Sequence, residues 1–147
     1  MKPEPYRLKR DAYPVSVIVP TRFRDLDTLG HLNNVALGSF YEEGRAQLNR
    51  AAFPREMRHE SALRMLIADV HIAYLAEAHY PGDIEVAAGV GHIGRSSYVI
   101  ALALFQNGQC VGTCETVLVV TGDSGAVEIP PDQRAALEGL RVRAGYY

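Results

Sequence analysis

The 147-residue chain is predicted to fold as one α+β domain, an antiparallel sheet with a single long helix on one face. A helical pattern runs from residue 35 to about residue 50, with apolar residues at the spacing of one helix face. Four strand-like segments joined by short turns follow it, and strands joined in this way pair antiparallel. One helix can cover only one face of such a sheet, so the second face needs another cover. A second subunit is the simplest one.

Three elements come before the sheet's main strands. Residues 1–13 are polar and contain prolines, which predicts an irregular arm. The β-branched run 15–19 predicts the first strand, and Pro20 indicates a sheet edge or a bulge, because proline donates no hydrogen bond to a ladder. After a polar turn comes the helix, whose predicted buried face carries Leu37, Phe40, Tyr41, Gly44 and Leu48.

The rest of the chain is mostly strand-like. Asn107-Gly108, the dipeptide most typical of a tight hairpin, joins the last two of the four predicted strands. The third of these strands is apolar on both alternating sets of residues, so we expect both of its faces to be covered. Pro130 opens a short terminal helix. The predicted ranges are 65–80, 84–93, 98–105 and 109–121 for the strands and 130–144 for the helix.

Composition excludes several classes of function. Charged residues make up 22 % and the net charge is -2, whereas nucleic-acid binders are usually basic. No apolar stretch approaches the roughly 20 residues of a membrane helix, and no signal peptide is visible at the start. Cys110 and Cys114 lie in one predicted strand, too far apart there to form a disulfide. We expect a cytoplasmic protein with no nucleic-acid or membrane partner.

The segment 22–34 reads Arg-Phe-Arg-Asp-Leu-Asp-Thr-Leu-Gly-His-Leu-Asn-Asn and directly precedes the helix. Asn33 and Asn34 are typical helix caps, whose side chains accept from the first free N–H groups. The opening of a helix carries partial positive charge and suits an anion or a developing oxyanion. A carboxylate beside those donors makes this turn a candidate site for acyl chemistry.

Together with four shorter stretches, this turn resembles the hotdog-fold thioesterases, and more narrowly the 4-hydroxybenzoyl-CoA thioesterase-like acyl-CoA thioesterases. The shorter stretches are 40–45, 81–83, 93–97 and 117–120. The resemblance implies a curved antiparallel sheet wrapped around one long central helix. It also implies that two subunits pair into one continuous sheet, with active sites at their interface, as a homodimer or a dimer of dimers.

The implied reaction is hydrolysis of an acyl-CoA or acyl-carrier-protein thioester to the free acid and the thiol, with no metal and no organic cofactor. The resemblance assigns the catalytic carboxylate to Asp27, as nucleophile or general base. The alternative role for Asp27 is to stabilise the turn. His31 is a second catalytic candidate that donates to the carbonyl or orients a water, or else an ordinary hydrogen-bonded surface histidine. Asp25 is expected to be structural, paired with Arg22 or Arg24.

Two groups of residues are predicted to bind substrate. Gly30, Asn33 and Asn34 belong to the turn itself. Arg95, Ser96 and Ser97 lie between two strands and contact the pantetheine or a CoA phosphate, or else form an ordinary β-turn. The chain departs from its relatives at Leu37-Gly38, where an aromatic and a larger residue are frequent, and at Ala76-Glu77-Ala78, where a proline is common.

Two other functions compete with hydrolysis. A hotdog module can bind acyl-CoA without turnover, although such regulators usually carry a DNA-binding segment. A hotdog dehydratase or hydratase also acts on acyl thioesters, but with a histidine paired to an acid or amide in a different arrangement. The turn motif favours the thioesterase.

Overall fold

The computed structural model describes residues 2–143, in which a curved antiparallel sheet surrounds one long helix. The sheet order is β1-β3-β4-β5-β2, with the short β6 paired to β5. This is the predicted α+β architecture, so the fold class is confirmed. The strands are β1 Val15–Pro20, β2 Arg64–Tyr74, β3 Asp83–Ile93, β4 Ser97–Gln106, β5 Gln109–Gly122 and β6 Gly125–Ala126; the helices are α1 Asn34–Ala52, α2 Pro54–Met57 and α3 Pro131–Glu138.

The long helix α1 packs its predicted face against the sheet. All five residues predicted for that face are buried. Gly44 lies where the helix comes closest to the sheet, since a Cβ there would be 2.6 Å from Val86 Cγ1 and 2.8 Å from Leu102 Cδ2. Real side chains do not approach that closely, so the glycine permits the contact. A Cβ added at Gly38, by contrast, would meet no neighbouring atom within 4 Å.

The second face of the sheet is partly covered by the chain itself, which corrects two predictions. Residues 1–13 were predicted as an irregular arm, but the described part contains two short 3₁₀ helices, Pro5–Leu8 and Arg10–Ala12. Ala12 and Tyr13 then pack with Ala87, Ala103 and Phe105 in a second hydrophobic cluster. A second subunit is therefore not needed to cover β3 and β4 on this face.

The buried arginine Arg7 fastens this arm to the sheet. Its guanidinium donates to the Tyr13 hydroxyl at 2.8 Å and to the Leu102 carbonyl at 3.1 Å, and it pairs with the Glu115 carboxylate on β5. A buried cation is tolerated when it is paired and hydrogen-bonded in this way. Tyr13 Oη donates in turn to the Arg7 carbonyl at 2.6 Å.

The two edge strands differ. Pro20 lies at the end of β1, an edge strand as predicted. β2 is shorter than the predicted 65–80, because after Tyr74 the chain leaves the ladder and the N–H groups of Leu75 and Ala76 both bond to the Val111 carbonyl, at 3.0 and 3.2 Å. Four apolar side chains on this strand are about half exposed: Leu66, Ile67, Val70 and Tyr74. Within residues 2–143, nothing pairs with the outer edge of β2.

The terminal helix α3 is also shorter than predicted. It ends at Glu138, and the chain then pairs with β3 through a parallel bridge between Val90 and Arg141. The N–H of Val142 donates to the Val90 carbonyl at 2.9 Å, which fixes an extended backbone that cannot continue a helix. Residue 144, the predicted end, lies outside the described residues. No helix of the described chain is long and apolar enough to cross a membrane.

Candidate active site

Asp25 anchors the turn that leads into α1. Its side chain is 3 % exposed and accepts from the Arg22 backbone N–H at 2.9 Å and from the Arg22 guanidinium at 2.9 Å. Burial acts to raise the pKa of Asp25, but the hydrogen bonds and charge of Arg22 outweigh it, so that the pKa lies below its usual value. The predicted structural role of Asp25 and its pairing with Arg22 are confirmed.

Asp27, two residues on, is exposed instead. Its Oδ1 accepts from the N–H of Leu29 at 2.8 Å and from the N–H of His31 at 3.1 Å. Gly30, with a φ of +84°, lets the backbone fold back between them. The bond from His31 is the main reason that the pKa of Asp27 is lowered, and the bond from Leu29 adds to it. The carboxylate is therefore ionised at neutral pH, and its other oxygen takes no part in these two bonds.

His31 presents its ring beside this carboxylate. Its Nε2 lies 3.1 Å from Oε2 of Glu77, in the segment after β2, and its ring meets the His79 ring edge-on with centroids 5.7 Å apart. In the sequence, Glu77 stands out only as a departure from relatives that carry a proline there. No spacing pattern links residues 31 and 77, so the pairing becomes visible only in the fold.

The opening of α1 is capped by Asn33, as predicted. Its Oδ1 accepts from the N–H of Ala36 at 2.7 Å. Asn34 is the first helical residue rather than a second cap, so that part of the prediction is wrong: the Asn33 side chain already occupies the capping position. No acceptor within the described residues takes the N–H of Asn34 or of Val35. These two donors remain available at the positive end of the helix.

A cavity of about 330 Å³ lies between this turn and the segment after β2. It brings Asp27, His31 and Asn34 together and adds an apolar wall from the end of β2 and the start of α1. Gly30 and Asn33 instead shape the turn and the cap. The lining residues are Asp27, His31, Leu32, Asn34, Leu37 and residues 74–78.

The other predicted binding group lies far from this cavity in the single chain. Ser97 begins β4 at the end of the sheet beside Tyr98, whose hydroxyl bonds to Asn49 near the C-terminal end of α1. Asp27 precedes the opposite end of that helix, which is about 28 Å long for its 19 residues. Arg95 is largely exposed there, with its guanidinium 4.0 Å from Glu128. One chain does not bring residues 95–97 to Asp27.

The histidines, acids and cysteines of the described chain form no metal-binding cluster, and its two cysteines are not paired. Within residues 2–143, no three His, Cys, Asp or Glu side chains are close enough together to hold a metal ion. Cys110 and Cys114 are both free thiols, and burial raises the pKa of each. A raised thiol pKa disfavours the reactive thiolate.

Comparison with known proteins identifies the family. The model of the thioesterase-like superfamily matches residues 21–137, which include the turn, α1 and the sheet. The chain belongs to this superfamily. No curated protein matches its sequence.

Several solved structures are similar to this chain over most of its length. A thioesterase from Thermus thermophilus, complexed with coenzyme A and Zn, is 27 % identical with a TM-score of 0.79, covering 88 % of this chain and 95 % of its own. A predicted thioesterase from Bacillus stearothermophilus is also 27 % identical with a TM-score of 0.79, covering 88 % and 98 %. A Pseudomonas aeruginosa protein is 28 % identical with a TM-score of 0.77, covering 92 % and 96 %. The superfamily member described here thus has the hotdog fold along nearly its full length.

Proposed function

We propose that this superfamily member hydrolyses acyl-coenzyme A thioesters and that Asp27 is its catalytic carboxylate. The observation that carries the proposal is the cavity that the ionised Asp27 carboxylate shares with Asn34 at the start of α1, whose N–H has no acceptor among the described residues. Coenzyme A is favoured as the carrier because a thioesterase of the same fold, from Thermus thermophilus, was solved with it.

The chemistry needs a nucleophile and a stabiliser of negative charge. Asp27 either attacks the thioester carbonyl carbon or takes a proton from a water that attacks it. The carbonyl oxygen becomes an oxyanion, and the N–H of Asn34, which lines the same cavity, is the available donor for it. Losing one such donor typically costs about 3–4 kcal/mol of transition-state stabilisation. The C–S bond then breaks, and the thiolate needs little acid help because a thiol pKa is about 8.5.

The acyl site is completed by pairing two copies of the chain through β2. That strand is an open edge with half-exposed apolar side chains, which natural proteins usually cover or pair. Antiparallel pairing sets the Arg64 end of one β2 against the Tyr74 end of the other, and the Tyr74 end lines the Asp27 cavity. Ser97 of β4 lies opposite Val119 of β5, and Val119 lies opposite Leu66 of β2, near the Arg64 end of that strand.

The turn 95–97 of one subunit is thereby directed toward the Asp27 cavity of the other. Arg95 is well suited to a CoA phosphate, since a guanidinium binds phosphate through two parallel hydrogen bonds. This arrangement explains why the two predicted binding groups lie apart in one chain. It also makes the dimer the active species.

The test is release of free thiol from short, long and aromatic acyl-CoAs by the native protein and by Asp27→Asn. We expect turnover of at least one substrate, and a loss of about 10²- to 10⁴-fold in kcat for the variant. Asp123→Asn is the matched control, because Asp123 is exposed in the turn between β5 and β6 and should leave kcat unchanged.

Three results would redirect the proposal. Binding of acyl-CoA without thiol release by the native protein means a binding module. A change in enoyl absorbance without thiol release means a hydratase or dehydratase. Equal rates for native protein and Asp27→Asn mean that hydrolysis occurs at another site.

A further inference from the structure

We propose that Glu77 is a positioning residue for His31, and that the Glu77–His31 pair carries the proton of the attacking water to the leaving thiolate. This inference rests on the proposed function, because it names a second part of the same site. It applies to the route in which Asp27 attacks the thioester carbonyl carbon, because in the other route Asp27 itself takes the proton of the water.

The contact that supports it lies in the wall of the Asp27 cavity. Glu77 Oε2 is 3.1 Å from His31 Nε2, and Asp27, His31 and Glu77 all line that cavity. Three titratable groups surround the ring: Asp27 from the turn, and Glu77 and His79 from the segment after β2. Asp27 accepts from the backbone N–H of His31, whereas Glu77 contacts ring nitrogen Nε2 as an ion-pair partner. Glu77 is therefore the side chain placed to orient the imidazole.

The contact also selects which nitrogen can do chemistry. An ionised carboxylate accepts and cannot donate, so in the proposed arrangement Glu77 takes the Nε2 proton of the imidazole as its partner and Nδ1 is left as an acceptor. Asp27 attacks the thioester carbonyl carbon and the C–S bond breaks, which forms an anhydride at Asp27 and releases the thiolate. Water then attacks the anhydride, gives one proton to Nδ1 and restores the Asp27 carboxylate, and the imidazolium held beside Glu77 passes that proton to the thiolate. The sum is thioester plus water giving acid plus thiol, with no other reactant.

The His31–Glu77 pair contributes little to the stability of the fold, so its effect on catalysis can be measured separately from any effect on stability. The side chains of His31 and Glu77 are 31 % and 63 % exposed, and ion pairs this open to water add little stability. Its residues also come from segments that other contacts already hold: the N–H of Leu32 bonds to the Ala78 carbonyl at 2.9 Å. Removing the Glu77 charge should therefore leave the melting temperature unchanged.

The experiment is a double-mutant cycle on kcat and KM with the best acyl-CoA substrate. Its members are Glu77→Gln, His31→Asn and the double variant, with Glu77→Asp as a rescue. We expect His31→Asn to lower kcat about 100-fold and Glu77→Gln about tenfold, both with little change in KM. Since Glu77 acts through His31, the double variant should equal His31→Asn alone. Glu77→Asp, which keeps the charge, should recover part of the loss.

Glu138→Gln is the control, because Glu138 is a similarly exposed carboxylate paired with Arg141 at 2.6 Å on α3. It should have native kcat and KM. Native kcat in Glu77→Gln or in His31→Asn would overturn the proposal, and so would losses that multiply in the double variant. These failures are distinct from failure of the proposed function, in which the native protein releases no thiol or Asp27→Asn is fully active.

Discussion

At its C-terminal end, α1 is closed into the core, whereas at its N-terminal end the surrounding side chains face solvent. Phe53, just past the helix, is fully buried and stacks on Tyr98 with centroids 5.6 Å apart. The Tyr98 hydroxyl donates to Asn49 at 2.8 Å. Around the opening of the helix, by contrast, apolar side chains are 74 to 84 % exposed: Phe23, Leu29 and Val35.

The comparison assigns most of the stability to the C-terminal end of α1 and the reactive groups to its N-terminal end. At the closed end, aromatic side chains are fully buried and densely packed, which is where large-to-small substitutions cost most. The open end has a carboxylate, an imidazole and two N–H groups without acceptors among the described residues. Because these groups have free hydrogen-bond donors or acceptors, they can bind a substrate and act on it. Each of the following substitutions tests whether the two ends are as independent as this comparison implies.

The largest effect is expected from Val70→Lys in the edge strand β2, whose Tyr74 end lines the cavity at the open end. If two copies pair through β2, a lysine here is buried in the interface without a partner, which opposes association strongly. We expect a monomer by analytical ultracentrifugation, with most thiol release lost although the chain still folds. A variant that remains a dimer would show that the interface lies elsewhere.

At the closed end, Phe53→Ala should lower the free energy of unfolding by about 3–5 kcal/mol. The side chain is fully buried, so its removal leaves a cavity against Tyr98. Urea unfolding measures the loss. Activity per folded molecule should stay native, and a selective loss of kcat would mean that the two ends are coupled.

Two glycines of α1 offer a comparison within one helix. Gly44→Ala should cost about 1–3 kcal/mol, because the new Cβ overlaps Val86 and Leu102 on the sheet. Gly38→Ala meets nothing within 4 Å and should stabilise by up to about 1 kcal/mol through helix propensity. Thermal melts of both variants provide the test, and equal shifts would contradict the packing described for Gly44.

A smaller effect is expected from the pH dependence of stability at Asp25. The pKa of Asp25 is lowered in the folded chain, so its contribution to stability is present above its unfolded pKa of about 3.9 and is lost as the pH falls through the lower folded value. Asp25→Asn should therefore be less stable than the native protein at pH 7, by about 1–3 kcal/mol. The gap should narrow below about pH 4. A constant difference across that range would exclude an ionic contribution.

Much of this architecture could be predicted from local sequence. The Asn33 cap, the buried face of α1, the edge position of Pro20 and the hairpin at Asn107-Gly108 each depend on residues close in the chain. Local rules set these features through backbone preference and side-chain period.

What could not be predicted depends on contacts between distant residues. The arm covers the outer face of β3 and β4 because the Arg7 guanidinium bonds to the Glu115 carboxylate and the Leu102 carbonyl. No local sequence pattern indicates these contacts. Likewise, β2 ends at Tyr74 because the next two backbone N–H groups, of Leu75 and Ala76, both donate to the Val111 carbonyl. The sequence there stays apolar and gives no sign of this change. At the site, the turn residues were predictable, whereas Glu77 was not, because its role depends on a side-chain contact with His31 across the cavity.

The most direct test of the division between the two helix ends measures activity and stability together for Asp27→Asn and Phe53→Ala. Asparagine keeps the oxygen that accepts from Leu29 and His31, so the first variant should lose at least about 100-fold in kcat at a nearly native melting temperature. The second should lose melting temperature but keep its kcat. If Asp27→Asn retains native kcat, or if activity and melting temperature fall together in both variants, the open end of α1 is not the reacting end.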